Sequence, residues 1–294
     1  NVVYLGGNYL FKSTNRGDAW EVVSGDLSKS SDLKRESTAI ASIAQSKENA
    51  SLIYVGTDKG GFWVSQNGGE TWEERIEGLP RGYIRSIVPS KFSSDRVYAA
   101  ISGLNDDDLK TYLMCSEDRG QHWRSIAGNL FDEPANVLIE DPVYENLLYA
   151  GTFRGVYCST NRGKSWQLMG RNFPACSVAD LVIQEREDDL IVATHGRGVY
   201  KLGLDVMHEK LARDSAELDS DVVFDIPDVT LPSLYDGQEI GENTLERALS
   251  WDTVPAVRHK QYNDFDSIEP LLIEKHRQRI ANDPDYIYLI EKIQ

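Results

Sequence analysis

Two short loops of the sequence bring together side chains that could bind an ion or a sugar. Residues 195–198 read His-Gly-Arg-Gly, so the imidazole of His195 and the guanidinium of Arg197 share a glycine-flanked loop able to hold a carboxylate or a sugar. We favour the alternative of a tight turn between two strands, with Arg197 paired to a local carboxylate. Residues 105–108 read Asn-Asp-Asp-Asp but lack the ligand spacing and the glycine of a calcium loop, which favours a solvated hairpin tip.

The sequence does not single out catalytic residues. Glycoside hydrolysis needs two carboxyl groups about 5–10 Å apart, and the chain contains 47 Asp and Glu residues. No Ser-His-Asp signature, phosphate-binding loop or dinucleotide fingerprint is present. Four arginines fall in loops between predicted strands: Arg35, Arg81, Arg85 and Arg154. We take Arg81 and Arg154, together with His195 and Arg197, as the candidate ligand-binding residues.

A phrase of eight residues occurs four times, at 13–20, 65–72, 116–123 and 159–166, and repetition of this kind is typical of propellers and solenoids. Its third residue, Asn or Asp, can accept hydrogen bonds from following amides, and its fifth, Gly, can take positive φ. Its eighth, Trp, is expected to anchor the turn in the interior of the repeat. The phrase therefore predicts four structural turns, built on Ser13, Asn15, Gly17, Trp20, Ser65, Asn67, Gly69, Trp72, Ser116, Asp118, Gly120, Trp123, Ser159, Asn161, Gly163 and Trp166.

Short apolar runs surround each phrase in the order of four strands, as at 39–44, 52–56, 61–64 and 72–76. We predict an all-β fold, a β-propeller of four-stranded antiparallel blades, over residues 1–205. The propeller is incomplete, because residues 2–6 align with the second strand of a blade and residues 178–202 supply only three strands. We expect the C-terminal portion of a longer protein, in which an upstream segment or another chain completes the propeller.

The phrase Ser-x-Asp/Asn-x-Gly-x-Ser/Thr-Trp resembles the Asp-box, or BNR repeat, of sialidases, of the sortilin (Vps10) propeller and of xyloglucanase-type glycoside hydrolases. Residues 1–204 resemble the large bacterial BNR-repeat proteins of the sortilin-like or glycosyl hydrolase type, for example in IYVGTDKGGFWVSQNGGETWEERIEGLP at 53–80. The resemblance implies Asp-box turns on the outer edge of the propeller, away from the ligand face. It also implies an exported protein, whether secreted, periplasmic or on the cell surface.

The resemblance implies two alternative functions. The first, which we prefer, is a noncatalytic propeller whose loops over the channel present Arg and aromatic side chains to a protein or glycan. The second is a carbohydrate-active hydrolase similar to xyloglucanases or sialidases, with two facing carboxylates in an aromatic groove. Aromatic candidates for such a groove are few, because the phrase places its own Trp residues in the blades; they are Trp63, Tyr83, Phe153 and Trp251.

Charge and cysteine content limit the partners. A formal net charge of −16 argues against nucleic acid or an anionic membrane surface as a partner, and no apolar run approaches a membrane span. Cys115 and Cys158 occupy equivalent strands of successive blades, beyond disulfide reach, and Cys176 leaves the count odd, so we expect free thiols. No spacing of Cys or His suggests a metal site, and no cofactor is predicted.

Residues 206–294 lack the repeat and form an acidic C-terminal appendage with short helices, the first at 206–218. The appendage either wraps the propeller through its apolar side chains or serves as a docking arm for another protein. In the second case Tyr286, Tyr288 and Ile290 are the expected anchors.

Overall fold

The computed structural model describes residues 2–35, 37, 39–170, 173–217 and 252–253 of the 294-residue chain. Within these ranges the chain forms five antiparallel sheets, which we call blades 1 to 5. Their strands are β1 (Val3–Gly6), β2 (Leu10–Ser13) and β3 (Glu21–Val22) in blade 1; β4 (Ile40–Gln45), β5 (Ile53–Thr57), β6 (Phe62–Ser65) and β7 (Glu73–Glu74) in blade 2; β8 (Tyr83–Pro89), β9 (Val97–Gly103), β10 (Asp108–Ser116) and β11 (Arg124–Ser125) in blade 3; β12 (Ala135–Glu140), β13 (Leu148–Thr152), β14 (Val156–Ser159) and β15 (Gln167–Leu168) in blade 4; and β16 (Val178–Gln184), β17 (Asp189–Thr194), β18 (Gly198–Gly203) and β19 (Asp252–Thr253) in blade 5.

Each blade is a meander in which neighbouring strands pair in chain order. The first strands of successive blades contact each other, β4 with β8, β8 with β12 and β12 with β16, as the inner strands of a propeller do. The predicted all-β propeller of four-stranded blades is confirmed.

The core lies between the blades. Second strands β5, β9 and β13 are buried along their whole length, and apolar clusters fill the space between each blade and the next. Close approach requires small residues: a Cβ on Gly56 would lie 2.5 Å from Ile84 Cγ2 of the next blade, and one on Gly151 would lie 2.5 Å from Val178 Cγ1.

The connections alternate between two ends of the blades. One end, which we call the repeat-turn end, carries the turns between first and second strands and the four repeat turns. In blade 2 these two turns are joined by a hydrogen bond from the Gly68 amide to Ser51 O. The other, which we call the loop end, carries the turns between second and third strands and the loops from one blade to the next. Arg35 links loops of this end, donating to Gly60 O (2.8 Å) and Pro80 O (3.1 Å).

Blades 1 and 5 differ from the middle three. Among the described residues blade 1 has three strands, in the positions of the second, third and fourth strands of the other blades, as the sequence predicts. The expectation of three strands in blade 5 is wrong, because β19 pairs with β18 at Tyr200↔Thr253 and Lys201↔Asp252. Two residues so far from the repeats leave no pattern that sequence reasoning could detect.

Helix α1 (Asp205–Glu217) follows β18 and confirms the first helix predicted in the C-terminal region. Judged by the contacts within each range, Asn1–Pro255 and Ala256–Gln294 form two separate compact units. The other predicted features of the appendage, including Trp251, Tyr286, Tyr288 and Ile290, lie outside the described residues. Among the described residues no helix is both long enough and apolar enough to cross a membrane.

Cys115, Cys158 and Cys176 are free, as expected, and all three are buried. Burial raises the pKa of Cys115 and of Cys158 to about 12, so both remain neutral thiols near pH 7.

Candidate functional site

The four repeat turns share one hydrogen-bond pattern. In the fourth, Ser159 Oγ accepts the Gly163 amide (2.8 Å) and donates to Asn161 Oδ1 (2.9 Å), which accepts the Ser165 amide (2.9 Å). The predicted glycines have positive φ, from 80° at Gly163 to 104° at Gly69. Sequence reasoning missed the residue before each glycine, which is also left-handed: Arg16, Gly68, Arg119 and Arg162.

The Trp of a repeat turn reaches back to the preceding blade. Its indole N–H donates to the backbone carbonyl three residues after the preceding turn's Trp, in three successive pairs: Trp72 to Val23 O (2.8 Å), Trp123 to Arg75 O (3.4 Å) and Trp166 to Ile126 O (2.7 Å). The Trp side chains therefore join one blade to the next.

Trp20 of the first turn behaves differently. Trp166 is 2% exposed, whereas Trp20 is 42% exposed. The prediction that all four Trp residues lie in blade interiors is wrong for Trp20, because no described blade precedes blade 1 to cover its side chain.

The third turn carries Asp118 where the others carry Asn. Asp118 Oδ2 lies 2.6 Å from His122 Nδ1, and Oδ1 accepts the His122 amide (2.9 Å). Burial opposes ionisation, but the hydrogen bonds from His122 and Ser116 lower the pKa of Asp118 to about 2. The bonds to Asp118 raise the pKa of His122.

All four candidate ligand-binding residues lie at the loop end, on three successive blades. Arg81 precedes β8, Arg154 lies between β13 and β14, and His195 and Arg197 lie between β17 and β18. All four are exposed. The antiparallel meander thus brings residues that are far apart in sequence to the end opposite the repeat turns.

The guanidinium of Arg81 already forms an ion pair within the protein. Its Nη2 lies 3.2 Å from Asp32 Oδ2, which also lies 3.5 Å from Nε of Arg35. Arg35 itself is buried, and its guanidinium donates to backbone carbonyls of two inter-strand loops. Arg35 therefore holds loops together, while Arg81 is half exposed above it.

An arginine and a tyrosine stack on the inner strand of blade 3. The guanidinium of Arg85 lies 4.4 Å from the centroid of the Tyr83 ring, a cation–π contact. Arg85 falls in an irregularity of the β8–β9 register, and the inner strands of blades 2, 4 and 5 have the same irregularity. The bulge leaves the Arg85 side chain exposed.

Glu133 is a buried carboxylate that sequence reasoning missed. It accepts hydrogen bonds from Thr152 Oγ1 (2.7 Å) and Tyr157 OH (2.9 Å). Burial and the charge of Glu133 raise the pKa of Tyr157. Thr152 Oγ1 in turn accepts the Arg154 amide (3.1 Å), so Glu133 positions the turn that carries Arg154. No motif marks Glu133, which stands in an irregular loop.

A cavity of about 660 Å³ opens at the loop end between blades 2 and 3. Its lining includes the buried Leu79 and Met114 and the exposed Lys110 and Phe131. Phe131 is 78% exposed.

The acidic stretch at 105–108 lies at a hairpin tip, as predicted. Residues Leu104–Asp106 form a 3₁₀ turn between β9 and β10, and Asp107 is left-handed at φ 55°. Asp108 accepts the hydroxyl of Tyr112 (2.6 Å). Among the described residues, no group of three or more His, Cys, Asp or Glu side chains could hold a metal ion.

Comparison with known proteins agrees with this geometry. The family profile described as "Sortilin, neurotensin receptor 3" matches residues 60–202. The vacuolar protein sorting/targeting protein 10 of Neosartorya fischeri is 27% identical over 144 residues, which is 45% of this chain and 9% of that protein. The repeat region is therefore a β-propeller whose sequence is similar to the sortilin family over residues 60–202.

Solved structures resemble the sortilin-like propeller in fold. The GH74 enzyme of Niastella koreensis has a TM-score of 0.56 at 16% identity, and the GH74 xyloglucanase of Xanthomonas campestris has 0.55 at 19%. These matches cover 70% and 69% of this chain and 34% of each enzyme.

The C-terminal region has a different relative. The family profile of the C-terminal domain of tail specific protease matches residues 235–294. The tail-specific protease of Haemophilus influenzae is 34% identical over 70 residues, which is 23% of this chain and 10% of the protease. The matched region of this chain thus spans about a tenth of the length of the curated relatives that it matches.

Proposed function

We propose that the sortilin-like propeller is a noncatalytic ligand-binding module that recognises a protein or glycan through its loop end. The observation that carries this proposal is the common placement of Arg81, Arg154, His195 and Arg197 on exposed loops of blades 3, 4 and 5. Arginine binds carboxylates and stacks on planar groups. Tyr83 with Arg85, and the exposed Phe153, add aromatic surface to blades 3 and 4.

Selection from a phage-displayed random peptide library on the immobilised full chain tests this proposal. The loop-end variant Arg81→Ala/Arg154→Ala/Arg197→Ala is compared with Arg16→Ala/Lys47→Ala/Lys164→Ala, which removes three cations from the repeat-turn end. Selected peptides are expected to lose at least about tenfold in affinity for the loop-end variant and to retain it for the control. Equal binding by all three proteins, or an equal loss in both variants, contradicts the proposal.

The alternative is a glycoside hydrolase, favoured by the GH74 enzymes among the structural neighbours. Two carboxylates of the loop end argue against it, because Asp32 is paired with two arginines and Glu133 accepts hydrogen bonds from two hydroxyls. The carboxyl of Glu140 has a pKa raised by burial, as a general acid requires, but it lies at the repeat-turn end and accepts the Lys91 amide.

Release of reducing sugar from xyloglucan decides between the two functions. We expect none above a no-protein blank at any pH from 5 to 8. Release that disappears in Glu133→Gln or Asp32→Asn, with unchanged circular dichroism, would establish the hydrolase instead.

We propose that a further blade, from an upstream segment or another chain, packs on the open face of blade 1. Leu5, Trp20 and Val22 are exposed on this blade, and β1 has no described strand on its inner edge. The partner blade would offer Trp20 a carbonyl, as Val23 does for Trp72.

Light scattering of the full chain over a range of concentrations tests the open face. Association is expected, and Val22→Glu should weaken it because a charge would be buried at the contact. A monodisperse monomer that unfolds cooperatively contradicts the proposal.

We also propose that the protein is part of a larger exported protein, an inference supported by the sortilin-like and GH74 resemblance. The appendage, residues 206–294, would either wrap the propeller or serve as a docking arm for another protein. Fractionation of the source cells with an antibody to the propeller gives the compartment and the full mass. Recovery in the cytoplasmic fraction contradicts export.

A further inference from the structure

A histidine on α1 joins two blades. His208 is in the first half of the helix, where Met207 and Leu211 pack against the apolar cluster of blades 4 and 5. Both of its ring nitrogens face carboxylates: Nε2 lies 2.8 Å from Asp141 Oδ2, and Nδ1 lies 2.8 Å from Asp188 Oδ2. Asp141 belongs to the turn after β12 in blade 4, and Asp188 to the turn after β16 in blade 5.

This geometry requires the charged form of His208. An ionised carboxylate only accepts hydrogen bonds, so both ring nitrogens must carry a hydrogen, which makes the ring an imidazolium. Asp141 is fully buried and already accepts the Tyr149 hydroxyl (2.9 Å) and the amides of Val143 and Tyr144. A neutral ring would place a lone pair against a carboxylate oxygen with the side chain only 11% exposed.

Among the described residues, an uncharged tyrosine and an aspartate that is already paired also lie near His208. From blade 4, the Tyr144 ring lies 5.1 Å away and its hydroxyl donates to the His208 carbonyl (3.0 Å). From blade 5, the neighbouring Asp189 is paired with Lys201 (3.0 Å).

On the helix itself, Glu209 and Lys210 follow His208 and carry opposite charges. One cation thus faces two anions, and this excess of negative charge holds the proton on the ring.

We propose that His208 is a proton-controlled latch that fastens α1 across blades 4 and 5 when the ring is charged and releases the helix when the ring loses its proton. The latch acts on α1, the segment that connects β18 of blade 5 to residue 218 in the sequence. The sequence offers no sign of it, because the three side chains come from positions 141, 188 and 208.

The direction of the pH dependence follows from the pKa shifts of His208 and Asp141. Burial opposes the charge, but the bonds to Asp141 and Asp188 raise the pKa of His208 above 6.5. The latch is therefore complete below about pH 6.5 and is lost as the pH rises through the raised value. The hydrogen bond from His208 lowers the pKa of Asp141 against the effect of burial, so Asp141 keeps its charge down to pH values below 3.8.

Hydrogen exchange of the α1 amides in the full chain, expressed as protection factors from pH 5 to 9, tests the latch. Protection is expected to fall by up to about tenfold per pH unit above pH 6.5, while the strands of blade 3 stay protected. In Asp188→Asn the fall should be smaller and should end at lower pH, because one anion is gone and the pKa of His208 is raised less. In His208→Gln protection should be low and independent of pH.

His122→Gln is the matched control, since His122 also pairs with an aspartate (2.6 Å) but within one turn of blade 3. It should leave the α1 profile unchanged. Protection of α1 that is constant from pH 5 to 9 in the unmodified chain overturns the proposal. So does a pH-dependent fall that persists in His208→Gln.

Discussion

Blades 4 and 1 carry the same repeat turn, but their tryptophans have different surroundings. The Ser Oγ to Gly amide hydrogen bond is 2.8 Å long in both turns. Trp166 is 2% exposed and bonded to blade 3, whereas Trp20 is 42% exposed. The difference teaches that the turn is formed by its own residues, while the burial of its Trp is supplied by the preceding blade.

The largest difference in stability between the two blades is expected when the tryptophan of each turn is replaced by Ala. Trp166→Ala should lower the free energy of unfolding by about 3–5 kcal/mol, because it empties a fully buried site and leaves the Ile126 carbonyl without its donor. Trp20→Ala should change it by less than about 0.5 kcal/mol, as for an exposed side chain. Urea denaturation at a protein concentration low enough to keep the chain monomeric measures both, and equal losses would remove the distinction between the blades.

The second largest difference in stability is expected for substitutions of the glycines in the same turns. Both have positive φ, so both resist a side chain, but a Cβ on Gly163 would lie 2.6 Å from Ile126 Cβ while one on Gly17 meets only Trp20 at 3.5 Å. Gly163→Ala is expected to cost about 1–3 kcal/mol more than Gly17→Ala in the same denaturation experiment. A similar cost at both positions would mean that blade contact adds nothing at Gly163.

The serines should show no difference between blades. Ser13 and Ser159 are both buried and make the same hydrogen bonds within their turns. Their replacement by Ala should cost about 1–3 kcal/mol in each case, because the amide of the turn glycine, half-buried at Gly17 and buried at Gly163, loses its acceptor. A markedly smaller cost for Ser13→Ala would show that the turn itself depends on the preceding blade.

The smallest effect concerns the third turn, where Asp118 replaces Asn. The Asp118 carboxylate, with its pKa at about 2, contributes above about pH 3.8 and is lost as the pH falls toward 2. His122, with its raised pKa, contributes below about 6.5 and is lost as the pH rises through that raised value. The melting temperature of the unmodified chain should therefore exceed that of Asp118→Asn most between about pH 4 and 6.5.

Asn161→Asp in blade 4 is the control for this comparison. No histidine follows at the equivalent position, which is Ser165, so the new carboxylate should not produce the loss of stability above pH 6.5. The same pH profile in both variants would show that His122 plays no part.

Much of the propeller could be predicted from the sequence because its determinants are local and repeated. Alternating apolar residues, the turn glycines and the Ser–Asn pairs act within a few residues of one another. β19 could not be predicted, since it is two residues long and far from its partner. The exposure of Trp20 was missed because it depends on a neighbouring blade and not on the turn.

The candidate site was only partly predictable. Arg81, Arg154, His195 and Arg197 were recognised as loop residues, and antiparallel topology explains why they share one end. Glu133, which positions the turn of Arg154, gave no signal because its partners lie 19 and 24 residues away. The cluster around His208 was missed for the same reason.

Hydrogen exchange of the six indole N–H groups of the full chain, assigned by single Trp→Phe substitutions, tests the central claim most directly. We predict strong protection for Trp166, whose N–H is buried and bonded to the Ile126 carbonyl, and exchange near the solvent rate for Trp20 at low protein concentration. Protection of Trp20 equal to that of Trp166 in a monomer would contradict the claim that the preceding blade supplies the burial.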